Sequence, residues 1–139
     1  MNDLKSTLHS ALLLLLVGAL VGCWGHVWPH RRLTVNLERA KSTQTGVTHF
    51  TADFLTSHKF VYAGKGGYDA IRNTSTVLDF SGPNGLVASI GSDREGGVLV
   101  SLDQDQPAFT SEAQQIFDEM ASMLETKWPG AVVRHPIQK

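Results

Sequence analysis

Apolar and polar positions alternate most regularly between Ser75 and Leu102. Three stretches, Ser75 to Phe80, Leu86 to Ile90 and Val98 to Leu102, are separated by SGPNG and GSDREGG, segments rich in the residues that turns require. Pairing Phe80 with Leu86 and Ile90 with Val98 aligns three rows on one face: Thr76/Ile90/Val98, Leu78/Ala88/Val100 and Phe80/Leu86/Leu102. Every member except Thr76 is apolar. A slip of one residue would present Asp79, Ser89 and Ser101 instead, so the hydrophobic pattern specifies which face is buried. The pattern predicts an antiparallel meander with one apolar face.

That face needs a cover. Ala113, Ile116, Phe117, Met120, Leu124 and Trp128 recur at helical spacing, which predicts a helix over Ser111 to Trp128. Ser111 and Gln114 have capping-box spacing at its start, and Pro129-Gly130 stops it. Ala131 to Arg134 then returns as a strand. The predicted fold class is α+β in two layers, an antiparallel β-sheet covered on one face by a C-terminal α-helix.

Earlier in the chain, Leu33, Val35 and Leu37 alternate with polar residues as a first strand, and Ser42 to Gly46 reads as a turn. Val47 to His58 fits both periods, and its three threonines and lack of an evident cap favour a strand. Phe60 to Ala63 is a further short strand, and Gly64-Lys65-Gly66-Gly67 turns the chain. The second face of the meander carries Val77, Val87 and Leu99 among Asp79, Ser89 and Ser101; an earlier segment such as Val47 to Leu55 is expected to fold across it, the alternative being a partner.

From Ala11 to Cys23 thirteen consecutive positions carry no charge. A bilayer-spanning helix needs about 20, whereas roughly 7–15 suit the apolar middle of a secretory signal. The run ends Leu20-Val21-Gly22-Cys23, which resembles the lipobox of bacterial lipoproteins. The resemblance implies that Cys23 is alkylated with diacylglycerol, that signal peptidase II cuts just before it, and that the freed amine is acylated. A small Gly22 admits the peptidase, and a thiolate is the nucleophile for thioether formation. Lipidation would also consume the one cysteine of a chain bound for an oxidising compartment.

The organisation that follows is a signal peptide over 1–22, a lipidated tether over 23–32 and a single α+β domain over 33–139. Trp24 and Trp28 suit the headgroup layer, with Arg31 and Arg32 just outside it. Two or three acyl chains hold a protein stably on a membrane. In lipoproteins of this type an Asp after the cysteine favours retention in the inner membrane, and Trp24 stands there instead. The expected address in a Gram-negative cell is therefore the periplasmic face of the outer membrane. In a Gram-positive cell it is the outer leaflet of the cytoplasmic membrane.

The formal net charge is −1, which argues against a nucleic-acid partner. The charge is unevenly spread, with a basic excess over Cys23 to Arg72 and an acidic excess from Asn73 onward. Glu112, Asp118, Glu119 and Glu125 lie off the apolar stripe of the C-terminal helix and are the expected surface for another envelope protein.

Little catalytic chemistry is marked out. The glycines around Lys65 lack the spacing that cradles a phosphate. Asp93-Arg94-Glu95 and Asp103-Gln104-Asp105 lack the glycine and distal glutamate of a calcium loop and read as hydrated turns. His26 and His30 are four apart, but Gly25 and Pro29 interrupt the helix that would align them as metal ligands. His49, Asp53 and His58 are the best candidates for a small hydrolase or metal-dependent enzyme, and no nucleophile is marked as their partner. His135 reads as exposed. The expectation is a non-enzymatic domain with no catalytic residue, cofactor or metal.

Overall fold

A computed structural model describes residues 30–66, 68–69 and 74–137. The apolar run, Cys23, Trp24, His26 and Trp28 lie outside them, as do the side chains of Thr76 and Val77. In chain order the elements are strand β1 (His30–Val35), a single helical turn α1 (Leu37–Ala40), helix α2 (Gln44–Ser57), and strands β2 (Val61–Gly64), β3 (Tyr68–Asp69), β4 (Thr74–Ser81), β5 (Leu86–Ser92) and β6 (Val98–Gln104). Helix α3 (Ser111–Lys127) and strand β7 (Val132–Arg134) complete it. The strands form one antiparallel sheet in the order β2-β4-β5-β6-β1-β7, with β3 pairing β4 beyond β2. The fold is α+β, as the sequence pattern predicts.

The meander keeps the expected face with a different register. Phe80 pairs with Ala88 and Leu78 with Ile90, while Ala88 pairs with Leu102 and Ile90 with Val100. The first ladder from Leu78 to Ser81 and the whole of the second are displaced by two residues, and side chains alternate with period two, so the same set stays inward there; an irregularity between Thr76 and Leu78 sets Thr76 against Gly91. The loops set this displacement. Pro83–Gly85 forms a 3-10 turn in which Asn84 (φ 54°) and Gly85 (φ 73°) are both left-handed, and the Gly82 N–H closes it on the Leu86 carbonyl. Asp93 organises the second loop by accepting N–H bonds from Glu95 and Gly97. It is a structural turn residue rather than merely a hydrated one. At Gly97 a Cβ would lie 2.7 Å from the Thr34 methyl and 3.0 Å from the Val35 carbonyl, so the loop can press against β1 only with glycine there.

Leu86, Ala88, Ile90, Val98, Val100 and Leu102 are buried together with Leu33 and Val35 of β1. Against them pack Ala113, Ile116, Phe117, Met120, Ala121 and Leu124 of α3. The helix is capped one residue earlier than expected, by Thr110, whose hydroxyl accepts from the Ala113 N–H. Gln104 explains the displacement: its buried amide accepts from the Thr110 N–H and donates to the Thr110 hydroxyl. Gln114, the expected cap partner, instead accepts from Arg31 Nε and donates to Asp118.

Three further expectations are corrected. The first strand begins at His30 rather than Leu33, which brings the last three residues of the expected tether into the sheet. Leu37 opens α1 instead of extending the strand, because Asn36 caps the turn through the Arg39 N–H. Val47 to His58 is helical, not extended. Its cap is Thr43, upstream of the ambiguous stretch, and buried Val47, Thr48, Thr51, Phe54 and Leu55 follow the helical period. Two of the threonines that favoured a strand bond their own helix instead, Thr51 to the Val47 carbonyl and Thr56 to the Ala52 carbonyl.

Helix α2 packs into the same core as α3, so it does not cross the second face. Among the described residues no helix covers that face, where Val87 and Val133 are exposed. Ser89 there donates to Asp79 at 2.7 Å, and the buried hydroxyl of Ser101 has no hydrogen-bond partner among the described residues.

Two substitutions separate these contributions. Leu124→Ala removes a fully buried side chain between helix and sheet and costs about 2–5 kcal/mol. Ser101→Ala removes an unsatisfied buried hydroxyl and raises stability by about 1 kcal/mol. Urea unfolding followed by circular dichroism distinguishes the opposite signs.

Candidate functional site

Polar side chains converge where the C-terminal end of α2 meets the first half of α3. Ser57, His58, Lys59, Pro83, Asn84, Glu112, Gln115, Ile116 and Glu119 line a hollow of about 550 Å³. The His58 ring stacks on Phe54 with centroids 3.9 Å apart. Its Nδ1 lies 3.0 Å from the Phe54 carbonyl and 3.1 Å from Ser57 Oγ, while Nε2 lies 3.1 Å from Glu119 Oε2. Gln115 donates to the other oxygen of Glu119. That amide bond first, and His58 second, hold the Glu119 carboxyl below its ordinary range.

A serine, a histidine and a glutamate thus stand in one cluster that sequence spacing does not reveal. The order of distances argues for a structural role. Ser57 Oγ is closer to the Phe54 carbonyl, 2.7 Å away, than to the imidazole. A carbonyl only accepts, so it holds the hydroxyl proton that a catalytic imidazole would have to remove. The cluster fastens the end of α2 to α3.

The proposed trio of His49, Asp53 and His58 is not brought together. His49 and Asp53 are exposed on the outer side of α2. At 100° per residue His58 lies about half a turn round from His49, and it faces Glu119 instead. Among the described residues no group of three or more His, Cys, Asp or Glu could hold a metal ion. His30 lies in β1 opposite Asp103. His135 is exposed, as expected, with Nε2 2.7 Å from the Thr34 hydroxyl.

The four acids of α3 divide into two flanks. Glu112 accepts from the Asn84 amide and Glu119 faces His58, both toward α2 and the 3-10 turn. Asp118 and Glu125 face β7, where Arg134 donates to both oxygens of Glu125, at 2.9 and 3.1 Å, and to Asp118 at 3.0 Å. The Arg134 hydrogen bond lowers the Glu125 carboxyl from its ordinary value, and Glu125 raises the guanidinium in turn. Each acid therefore has a partner within the chain while remaining partly open to solvent. Nothing short of the folded topology would pair Arg134 with Glu125, because the turn at Pro129-Gly130 must reverse the chain first. Beside this flank, the Arg31 guanidinium lies 5.0 Å over the Phe109 ring and borders a shallow hollow with Ser111, Asp118 and Ser122.

No protein family matches this chain, and no curated protein is detectably similar to it.

The depressed carboxyls of Glu119 and Glu125 give a stability contribution that is fully present above their unfolded values, about 4.3 for a glutamate. It is lost as pH falls through the lower folded values. Glu125→Gln should flatten the acid limb of the stability–pH curve. At neutral pH it should cost at most about 1 kcal/mol, because the pair is two-fifths exposed. Urea midpoints measured from pH 7 down to pH 3 check this.

Proposed function

We propose that this chain is a lipid-tethered, non-enzymatic domain of the bacterial cell envelope that binds another envelope protein. The observation that carries the reading is the placement of Leu20-Val21-Gly22-Cys23 seven residues before the first described strand. An acylated Cys23 and His30 can be separated by no more than roughly 25 Å of chain. His30 opens β1, an inner strand of the sheet, so the domain is tied close to the bilayer by its body and not by a long linker.

A tether of this length confines the domain to a thin layer beside the membrane and raises its effective concentration toward any partner there. In a Gram-negative cell that layer is the periplasmic face of the outer membrane. The acyl chains on Cys23 are the proposed attachment; among the described residues no helix is long and apolar enough to cross a membrane. Glu112, Asp118, Glu119 and Glu125 are bonded within the chain yet stay partly exposed, and they give α3 an acidic outer side available to a partner.

Intact-mass analysis of the protein extracted from membranes tests the reading. The expected species begins at Cys23 and carries diacylglycerol with an added amide-linked acyl chain. Cys23→Ala should leave the leader attached and abolish the added hydrocarbon. Recovery of the unmodified full-length chain from wild-type cells would overturn the assigned compartment.

A further inference from the structure

We propose that β2 is a docking edge for an extended segment of another polypeptide, one with an apolar centre flanked at both ends by carboxylates. The proposal rests on the protein-binding role above and adds to the acidic side of α3 a second, separate surface for it.

Among the described residues, strand β2 is outermost on its side of the sheet and pairs only with β4. The outer rim of such a strand presents backbone N–H and C=O groups ready for another strand. Proteins blunt an edge of this kind with charge, proline or brevity. The opposite edge shows such protection: β7 has three residues, Pro136 follows closely, and Arg134 is fastened to Glu125 and Asp118. Val61-Tyr62-Ala63-Gly64 contains neither a charge nor a proline.

The side chains on this edge are open as well. Val61 is 69% exposed and Tyr62 52%, and Val61 is the most exposed large hydrophobic residue among those described. They point to opposite faces. The Tyr62 ring meets Phe80 edge-on at 5.8 Å and extends the core outward as a ledge. Val61 pairs with Ser81, whose neighbour across the sheet is exposed Val87. An added strand would find an apolar contact on each face.

Charge selects the occupant. Exposed Lys59 and Lys65 stand just before and after β2, and neither has an ion-pair partner among the described residues. Antiparallel pairing of a second copy about Tyr62 would set Lys59 of each copy against Lys65 of the other. Like charges would oppose at both ends, which disfavours self-association. A foreign strand with Asp or Glu at its two ends instead satisfies both lysines. The irregular register after Tyr62 and the left-handed Gly64 (φ 138°) limit the docked segment to about four residues, roughly 13 Å.

Two synthetic peptides test this against the full chain in detergent micelles: a Val-Thr-Val-Thr-Val core with two glutamates at each end, and the same core with lysines. The acid-flanked peptide should bind about tenfold more tightly at low ionic strength, with the advantage fading as salt is raised. Lys59→Glu combined with Lys65→Glu should reverse the preference, and binding should slow amide exchange at Val61–Gly64. Equal affinities, absence of binding, no reversal, protection confined to another surface, or dimerisation through β2 would each overturn the proposal. A chain that binds the peptide but carries no lipid on Cys23 would lose its assigned compartment and keep this surface. A lipidated chain that ignores both peptides would keep the compartment and lose the surface.

Discussion

One constraint organises this molecule: the central strands present a continuous apolar face, and both α2 and α3 pack against it. Leu33, Val35, Ala88, Ile90, Val98, Val100 and Leu102 are buried on that face, while the other carries Ser89, Leu99 and Ser101, which are also buried, and Asp103. Polar pins then fix where each helix lies. Gln104 holds the start of α3 through Thr110, Arg134 holds its outer flank through Glu125 and Asp118, and His58 joins α2 to it through Glu119.

Coverage of one face leaves the margins of the sheet with different fates. The strand that emerges from the proposed tether, β1, lies inside the sheet between β6 and β7, so pull on the tether is taken by ladders on both sides. The far margin, β2, is joined through β4 alone and carries the most exposed apolar side chains. The two lie four strand spacings apart, about 19 Å. The proposed attachment and the proposed docking edge thus sit at separate places on one sheet, so a partner held at β2 need not disturb the chain that leads to Cys23.

The sheet was legible because its information is periodic. Eight apolar residues at alternate positions specify a face, and a two-residue displacement of both ladders leaves that face unchanged. The exact pairing was not legible, since it depends on left-handed Asn84 and Gly85 and on the bonds Asp93 makes within its loop. Helix α2 was misread because threonines favour strands in general, yet here they bond carbonyls four residues back, and the cap lies at Thr43, outside the ambiguous stretch. The polar cluster of Ser57, His58 and Glu119 was beyond sequence reasoning altogether. It joins residues more than sixty positions apart, and local spacing carries no trace of it. The acids of α3 were visible as a set, whereas their division into two flanks depends on where β7 and α2 come to rest.

The central claim is a stiff sheet whose margin at β2 is open among the described residues, while the opposite margin at β7 is short and pinned by Arg134. Residue-resolved amide hydrogen exchange on the full chain, without any added peptide, addresses it most directly. The account predicts the slowest exchange, at the level of global unfolding, in β5, β6 and β1, whose ladders run on both sides and whose residues are mostly buried. It predicts exchange faster by orders of magnitude at the outward amides of Val61 to Gly64. Protection at β2 equal to that of β6, or rapid exchange in the middle of the sheet, would contradict it.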